Sequence, residues 1–331
     1  MTETRLDVLA IGNAIVDVIA ETTDSFLEAE GLTKGSMRLI DADEAERLYG
    51  RMASAQEISG GSAGNTAAGV AALGARAGFI GQVATDQLGE FYAHDLRSVG
   101  VEFTTAAADF GVPTARSMVL VTPDGHRTMN TFLGAAQHLP AAALDEAQIA
   151  ASAVLYLEGY LWDPETPRFA MVRAIEVARN AGRKVAFTLS DSFCIDRHRD
   201  GFNQLIDSGR VDILFANSDE IQALAAVPHL DTAIEAVRGK VETLVVTRGE
   251  HGAIATRGGE RAEVPAQPVG KVVDTTGAGD LFAAGFLTGY VRGLSLENSL
   301  TLGAIAAAEV IQHYGARPEA DLKVLAGDLL G

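Results

Sequence analysis

The chain has 331 residues, of which 47% are hydrophobic and 21% charged, a composition that suits a folded globular protein and excludes a disordered or fibrous one. Lysine and arginine number 26 against 44 aspartates and glutamates. The formal charge of -18 opposes unselective binding to nucleic acid or to an anionic membrane. The single cysteine, Cys194, excludes an internal disulfide and a thiolate-rich zinc site. No apolar run reaches the roughly 20 residues that cross a bilayer, and no signal-like start is recognised, so we expect a cytoplasmic protein.

Short apolar strands alternate with longer alanine-rich helical stretches along most of the chain. The pattern predicts strands over residues 6–11, 77–81, 154–157, 184–188, 213–216 and 243–247. It predicts helices over residues 66–73, 168–181, 218–225, 232–237, 279–292 and 295–313. This alternation indicates a layered α/β fold with a mostly parallel sheet.

Two segments, residues 15–40 and 101–133, interrupt this alternation with short strands and turns. The second contains Pro123, Asp124 and Gly125, a strong hairpin signal. We expect the two segments to form a small separate sheet, with extra edge strands of the main sheet as the alternative. The remaining ranges, 1–14, 41–100 and 134–331, then form the α/β core.

The strongest chemical signal is VVDTTGAGD, residues 272–280, which precedes the apolar run LFAAGFLTGYV. A strand, a glycine turn and a helix start predict free backbone N–H groups that hold phosphate oxygens, and Gly277 and Gly279 allow close approach. A Walker loop is absent from the sequence, and Phe282 stands where a dinucleotide fingerprint needs a small residue. Taken alone, Asp280 is more often a carboxylate of the first helical turn than a catalyst.

A second glycine-rich turn, GGSAGNT, covers residues 60–66 and includes Asn65, which offers donors and acceptors for hydroxyl groups. Close helix packing is an equally good explanation of this turn. Near the start of the chain, Asn13 follows a predicted strand and Asp17 lies four residues later. An amide and a carboxylate there suit vicinal hydroxyls, and the alternative is an exposed turn followed by a strand charge.

The stretches GGSAGNTAAGVAALG, residues 60–74, and DTTGAGDLFAAGFL, residues 274–287, resemble the two signatures of the ribokinase-like (PfkB) carbohydrate and nucleoside kinase family. The resemblance extends over nearly the whole chain. It implies a three-layer αβα core and a small β-sheet lid over the substrate. It also implies ATP and Mg²⁺ as cofactors and a small molecule as acceptor. A monovalent cation beside the second signature, and a monomer or a homodimer, stay open.

The same resemblance implies roles for individual residues. Asp280 corresponds to the catalytic base, which takes the proton of the substrate hydroxyl, and Arg127 to a lid arginine that contacts phosphate. The anion hole corresponds to Gly277, Ala278 and Gly279. Contacts to the nucleotide correspond to Thr247, Gly249 and Thr276. The NxxE element corresponds to Asn217 and Glu220 near magnesium, through water; a helix cap with its capping-box partner is the alternative.

The sequence around residues 187–193 and 211–217 resembles the adenosine kinase branch more than the sugar kinase branches. The ribose hydroxyls would then be held by Asn13, Asp17, Gly60, Gly61 and Asn65. Apolar walls for a purine would come from Met37, Met129, Tyr160 and Phe193. A free sugar, a keto-deoxy sugar acid or another nucleoside stays open. A nicotinamide-dependent oxidoreductase is disfavoured because GNAIVD stands where GxGxxG is needed, and a silent nucleotide-binding member is disfavoured by the presence of Asp280.

Overall fold

A computed structural model describes residues 4–330, which form fourteen strands and twelve α-helices. The strands are β1 Leu6–Ile11, β2 Ile15–Glu21, β3 Met37–Leu39, β4 Ala55–Gly60, β5 Ala77–Ile80, β6 Glu102–Phe103, β7 Ala115–Val121, β8 Arg127–Phe132, β9 Ser152–Glu158, β10 Lys184–Thr188, β11 Ile213–Asn217, β12 Thr243–Thr247, β13 Ala253–Arg257 and β14 Glu260–Val264. The helices are α1 Asp24–Ala29, α2 Ala42–Tyr49, α3 Ser62–Ala72, α4 Gln87–Ser98, α5 Glu146–Ala150, α6 Glu165–Asn180, α7 Ser192–Asp207, α8 Ser218–Ala225, α9 Leu230–Val237, α10 Ala278–Val291, α11 Leu296–Val310 and α12 Leu322–Ala326.

The larger sheet has nine strands in the order β14-β13-β12-β11-β10-β9-β1-β5-β6. Pairing is parallel from β6 to β12, and an antiparallel meander of β13 and β14 completes the edge. Alternate residues of β1 enter two different cores: Leu9 packs with the layer of α6 to α9, and Val8 packs with the layer of α3, α4, α10 and α11. Because the sheet is covered on both faces, the predicted three-layer α/β core is confirmed.

The smaller sheet has five strands in the order β3-β8-β7-β2-β4. Helices α1 and α2 cover one face, where Leu27, Leu48, Met118 and Leu120 form a separate apolar cluster. The second sheet is therefore confirmed as a separate layer, not an edge of the main sheet. Two of the predicted boundaries need correction: β4 lies in the range 41–100 assigned to the core but pairs with β2, and β6 lies in the range 101–133 assigned to the small sheet but pairs with β5.

The six predicted helices are present with shifted ends, and six further helices were missed, namely α1, α2, α4, α5, α7 and α12. The helix predicted over 66–73 begins at Ser62, directly after Gly61, whose φ of 85° turns the chain out of β4. The two longest of the missed helices, α4 and α7, are polar and begin at the side-chain caps Asp86 and Asp191. Among residues 4–330, no helix combines the length and the hydropathy needed to cross a membrane.

Small residues bring three helices of one layer into close contact. A Cβ on Gly69 of α3 would lie 2.7 Å from the Cβ of Ala284 in α10. A Cβ on Gly285 of α10 would lie 2.5 Å from the carbonyl oxygen of Leu302 in α11. Glycine is needed at both crossings because the neighbouring helix occupies the space of a side chain. The N-termini of α3 and α10, each preceded by a glycine turn, are thereby held side by side.

Candidate active site

A cavity of about 470 Å³ lies between the carboxyl ends of the central strands and the small sheet. Such an edge of a parallel sheet is the usual place for a ligand site in α/β proteins. The small sheet contributes Ile15, Asp17, Ser117, Val119, Arg127, Met129 and Thr131. The core contributes Gly61, Ser62, Asn65, Tyr160, Thr188, Ser190, Phe215, Ala216, Asn217, Glu220, Thr247, Thr275, Thr276, Gly277, Gly279, Asp280 and Phe282.

Asp280 lies in the first turn of α10, at the floor of this cavity. Ser62 Oγ donates a hydrogen bond to Oδ1 at 2.7 Å, and Asn65 Nδ2 donates to Oδ2 at 3.0 Å. Burial raises the pKa of Asp280, whereas these two hydrogen bonds and the charge of Arg317 lower it. The two donors from α3 fix the orientation of a carboxylate that retains lone pairs for a further proton.

The turn before α10 has the geometry expected of an anion site, with one departure. Gly277 is the N-cap, with a φ of 78°, and Gly279 faces both this cavity and a second one. The N–H of Ala278, however, donates to the carbonyl oxygen of Thr275 at 3.2 Å. The Ala278 amide therefore closes the turn, which corrects the expectation that it faces the cavity together with Gly277 and Gly279.

Glu158, a buried carboxylate that was not predicted, accepts hydrogen bonds from Asn13 and from the start of α3. Glu158 Oε1, at the end of β9, accepts bonds from the backbone N and from Nδ2 of Asn13, both at 2.7 Å, and Oε2 accepts from Ala63 N at 2.8 Å. Burial raises the pKa of Glu158 to about 7, and these bonds oppose the rise. Asn13 and Gly60 thus lie beneath the cavity lining, whereas Gly61 and Asn65 reach it.

Two charged residues of the small sheet face the core across the cavity. Burial raises the pKa of Asp17 to about 6, although the nearby charges of Arg127 and Arg317 lower it. Arg127 forms an ion pair with Asp274, which also accepts from Thr276 N at 3.0 Å and from Gly315 N at 3.2 Å. The predicted phosphate arginine is therefore paired with the loop that leads into the anion turn.

Asn217 and Glu220 both line the cavity and bind each other as a capping box at the start of α8. Asn217 Oδ1 accepts from Glu220 N at 2.8 Å, and Glu220 Oε2 accepts from Asn217 N at 2.9 Å. Burial raises the pKa of Glu220 to about 7. Within the described chain, no group of three or more His, Cys, Asp or Glu residues could hold a metal ion. The helix cap with its capping-box partner, the alternative for this pair, is thus present in the structure.

The apolar walls differ from the expected set. Met129 and Tyr160 line the cavity, and Tyr160 is fixed by a bond from its hydroxyl to the carbonyl oxygen of Ser190 at 3.2 Å. Met37 is 48% exposed on the edge strand β3, and Phe193 is 74% exposed in the first turn of α7. Since neither belongs to the lining, Met37 and Phe193 are corrected as wall residues; Ile15 and Val119, which were missed, take this position.

A second, mostly apolar cavity of about 530 Å³ adjoins the first at Gly279. The predicted nucleotide contacts Thr247 and Gly249 line it, together with Ala278, whereas Thr276 lines the first cavity. Its apolar residues are Ala266, Pro268, Val269, Val272, Ala304, Ala307, Ala308 and Ile311. The glycine turn thus stands between an apolar cleft and the cavity that contains Asp280.

A glycine turn and a carboxylate thus lie where two cavities adjoin. This arrangement agrees with the kinase family that the two glycine-rich signatures resemble. The model of the pfkB family carbohydrate kinases matches residues 7–322, so the chain belongs to this family. The protein is therefore a phosphotransferase with an alcohol acceptor, and kinases of this family use ATP.

Individual relatives include both nucleoside and sugar kinases by name. The crystal structure of adenosine kinase from Sinorhizobium meliloti shares 51% identity, with a TM-score of 0.90 over 98% of this chain and 99% of that one. A probable sugar kinase from Rhizobium etli CFN 42 shares 48% identity, with a TM-score of 0.91 over 98% of each chain. Adenosine kinase from Saccharomyces cerevisiae is 27% identical over 93% of this chain and 95% of its own. The predicted resemblance is confirmed.

Proposed function

We propose that this protein transfers the γ-phosphoryl group of ATP to the 5′-hydroxyl of a ribonucleoside, with adenosine as its main substrate and AMP and ADP as products. The observation that carries the proposal is the placement of Asp280, held by Ser62 and Asn65, beside the glycine turn of α10. The similarity to the adenosine kinase from Sinorhizobium meliloti supports the choice of acceptor.

The two walls of the first cavity suit the two halves of a nucleoside. Ile15, Val119 and Met129 from the small sheet offer apolar surface, and Tyr160 faces them from the core. A purine needs flat apolar walls, whereas a free sugar needs mainly hydroxyl partners. Asp17, Gly61 and Asn65 would bind the ribose 2′ and 3′ hydroxyls. The 5′-hydroxyl would then face Asp280.

Transfer of a phosphoryl group depends more on alignment and charge neutralisation than on a strong base. Asp280 would accept the proton of the attacking hydroxyl. The free amides at the start of α10 would hold the oxygens of the moving group, assisted by the helix dipole. Arg127 would exchange Asp274 for a phosphate oxygen, and closure of the small sheet as a lid would exclude water.

The second cavity fits the apolar base of a nucleotide, because Val272, Ala304 and Ile311 line it and Gly279 of the glycine turn lines it as well. When bound, ATP supplies the phosphoryl group, and Mg²⁺ neutralises part of its phosphate charge. Asn217 and Glu220 would hold water molecules of the magnesium ion, because both residues line the first cavity.

The test is ADP release at fixed Mg-ATP with adenosine, inosine, guanosine, cytidine, ribose, fructose and a keto-deoxy sugar acid as acceptors. We expect adenosine to give the highest kcat/KM. Preference for a free sugar would instead favour the second candidate, a sugar kinase, which the name of the Rhizobium etli relative supports. Repeating the assay in potassium, sodium and tetramethylammonium salts tests for the monovalent cation.

A further inference from the structure

Arg317, which belongs to neither glycine-rich signature, connects the two sides of the Gly60–Gly61 turn. Its Nη1 donates to the carbonyl oxygen of Gly64 at 2.9 Å. Its Nη2 donates to two atoms of Ser59, the carbonyl oxygen and, at 3.0 Å, Oγ. Ser59 belongs to β4 of the small sheet, and Gly64 lies in the first turn of α3 in the core. One guanidinium therefore spans the turn formed by Gly60 and Gly61.

The backbone that carries Arg317 is itself fixed against the anion turn. Gly315 N donates to Asp274 Oδ2 at 3.2 Å, and Ala316 fills the space where a side chain on Gly277 would lie. On the other side, Glu309 Oε1 accepts from the N–H groups of Glu319 and Ala320, each at 2.8 Å. Arg317 thus projects from a segment that is tied to the same turn that would receive the phosphoryl group.

The charge of Arg317 acts on two of the carboxylates that line the cavity, Asp280 and Asp17. It lowers the pKa of Asp280 and of Asp17, against the rise that burial causes in each. The other cation near these groups, Arg127, is paired with Asp274 and lowers the pKa of Asp17. The groups that face or influence Asp280 from the surrounding elements are Ser62, Asn65, Asp17, Tyr156, Glu158, Tyr160 and Arg317.

We propose that Arg317 is a positioning residue of the reaction: its guanidinium holds the Gly60–Gly61 turn in its substrate-binding form and supplies the positive charge that keeps Asp280 ready to accept a proton. The two effects have different chemical requirements. Holding the carbonyl oxygens of Ser59 and Gly64 together requires the planar fork of arginine, whereas the electrostatic effect requires only a cation. The inference rests on the proposed role of Asp280 as the base, but not on the identity of the acceptor.

The experiment compares Arg317→Met, which removes the charge, with Arg317→Lys, which keeps the charge but not the fork. Arg292→Met is the matched control, because Arg292 also donates to main-chain oxygens, those of Leu73, Gly74 and Leu330, away from the cavity. The pH profile of kcat/KM and the KM of the acceptor are measured between pH 5 and pH 9. Circular dichroism checks that each variant is folded.

For Arg317→Met we expect the acid limb of the profile to move about one pH unit upward, so that activity relative to the parent falls by up to about tenfold on the acid limb and recovers toward pH 9. For Arg317→Lys we expect the acid limb to stay in place while the KM of the acceptor rises about fivefold or more. Arg292→Met should match the parent in both measurements.

If the acid limb of Arg317→Met coincides with that of the parent, the electrostatic effect of Arg317 on Asp280 is overturned. If the KM of the acceptor is the same for Arg317→Lys and the parent, the positioning of the turn is overturned. If Arg317→Met does not fold, Arg317→Gln takes its place in the pH profile, because it also removes the charge. All variants are assayed on the acceptor that the parent phosphorylates fastest. A parent that ignores adenosine would contradict the proposed function while leaving this comparison intact.

Discussion

Replacing Gly277 by alanine tests the geometry of the anion turn most directly. The residue has a φ of 78°, and an alanine in the left-handed region costs about 1–2 kcal/mol. The added Cβ would lie 2.5 Å from the Cβ and 2.9 Å from the Cα of Ala316, well inside the ~3.5–4.0 Å of a normal carbon contact. Overpacking of this kind costs about 1–3 kcal/mol. We therefore expect Gly277→Ala to lower the free energy of unfolding by about 2–5 kcal/mol.

A control and a compensating change separate these two contributions. Gly182 has a φ of 70°, and no described atom lies within 4 Å of a Cβ at that position, so Gly182→Ala measures the dihedral cost alone. Adding Ala316→Gly to Gly277→Ala removes the 2.5 Å contact but leaves the 2.9 Å one, so the double variant should recover part of the loss.

Urea unfolding gives the stabilities, and ADP release gives kcat, which we expect to fall more than tenfold in Gly277→Ala because the amides shift away from the moving phosphoryl group. The packing of the anion turn on Ala316 would be refuted if Gly277→Ala were no more destabilising than Gly182→Ala. Full activity in Gly277→Ala would likewise refute the assignment of this turn to phosphoryl transfer.

Three further outcomes are expected. Asp280→Asn should lower kcat by about 10²–10⁴ through loss of the base. Asp219→Asn, the same change at an exposed first-turn carboxylate, should leave kcat unchanged. A kcat of Asp280→Asn equal to that of Asp219→Asn would contradict the role of Asp280. Glu158→Gln should lower the free energy of unfolding by about 1–3 kcal/mol in urea titrations, because three donors converge on two acceptor oxygens and a glutamine amide offers one. The pKa of Asp17 rises to about 6 in the folded protein, so its contribution to stability is present in acid and is lost as pH rises through 6. The thermal midpoint of Asp17→Asn should therefore rise relative to that of the parent as the pH is raised from 5 to 7.5. A difference between the two midpoints that stays constant over this range would contradict the raised pKa of Asp17.

The layers of the fold and the location of the anion turn could be predicted because their signals are local. The glycine turn and the helix around Asp280 are consecutive in the chain, and each has its own local preference. The strand expected directly before this turn is absent, because β14 ends at Val264 and residues 265–275 form no strand. Strand β4 was missed because AQEISG contains one β-branched residue and little alternation. Its pairing with β2 depends on tertiary contacts, which cannot be predicted from the local sequence of this segment.

The parts of the site that escaped prediction depend on contacts between distant residues. Asn13 was expected to face the ligand, but its partner Glu158 is 145 positions away, at the end of an apolar strand without a motif. Phe193 points to solvent because Asp191, as the N-cap, fixes the rotation of α7 around its axis. Arg317 reaches Ser59 across 258 positions. Glu158 is a carboxylate at the end of an apolar, almost wholly buried strand, and this is the one signal that could have been used.

Strand β4 ends at Gly60, and α3 begins at Ser62. Only Gly61 separates the two elements, so a movement of β4 relative to the core would turn the first turn of α3. Such a movement would shift Ser62 and Asn65, whose side chains donate to the carboxylate of Asp280. If the smaller sheet closes over an acceptor as proposed, the same movement would adjust the orientation of this carboxylate.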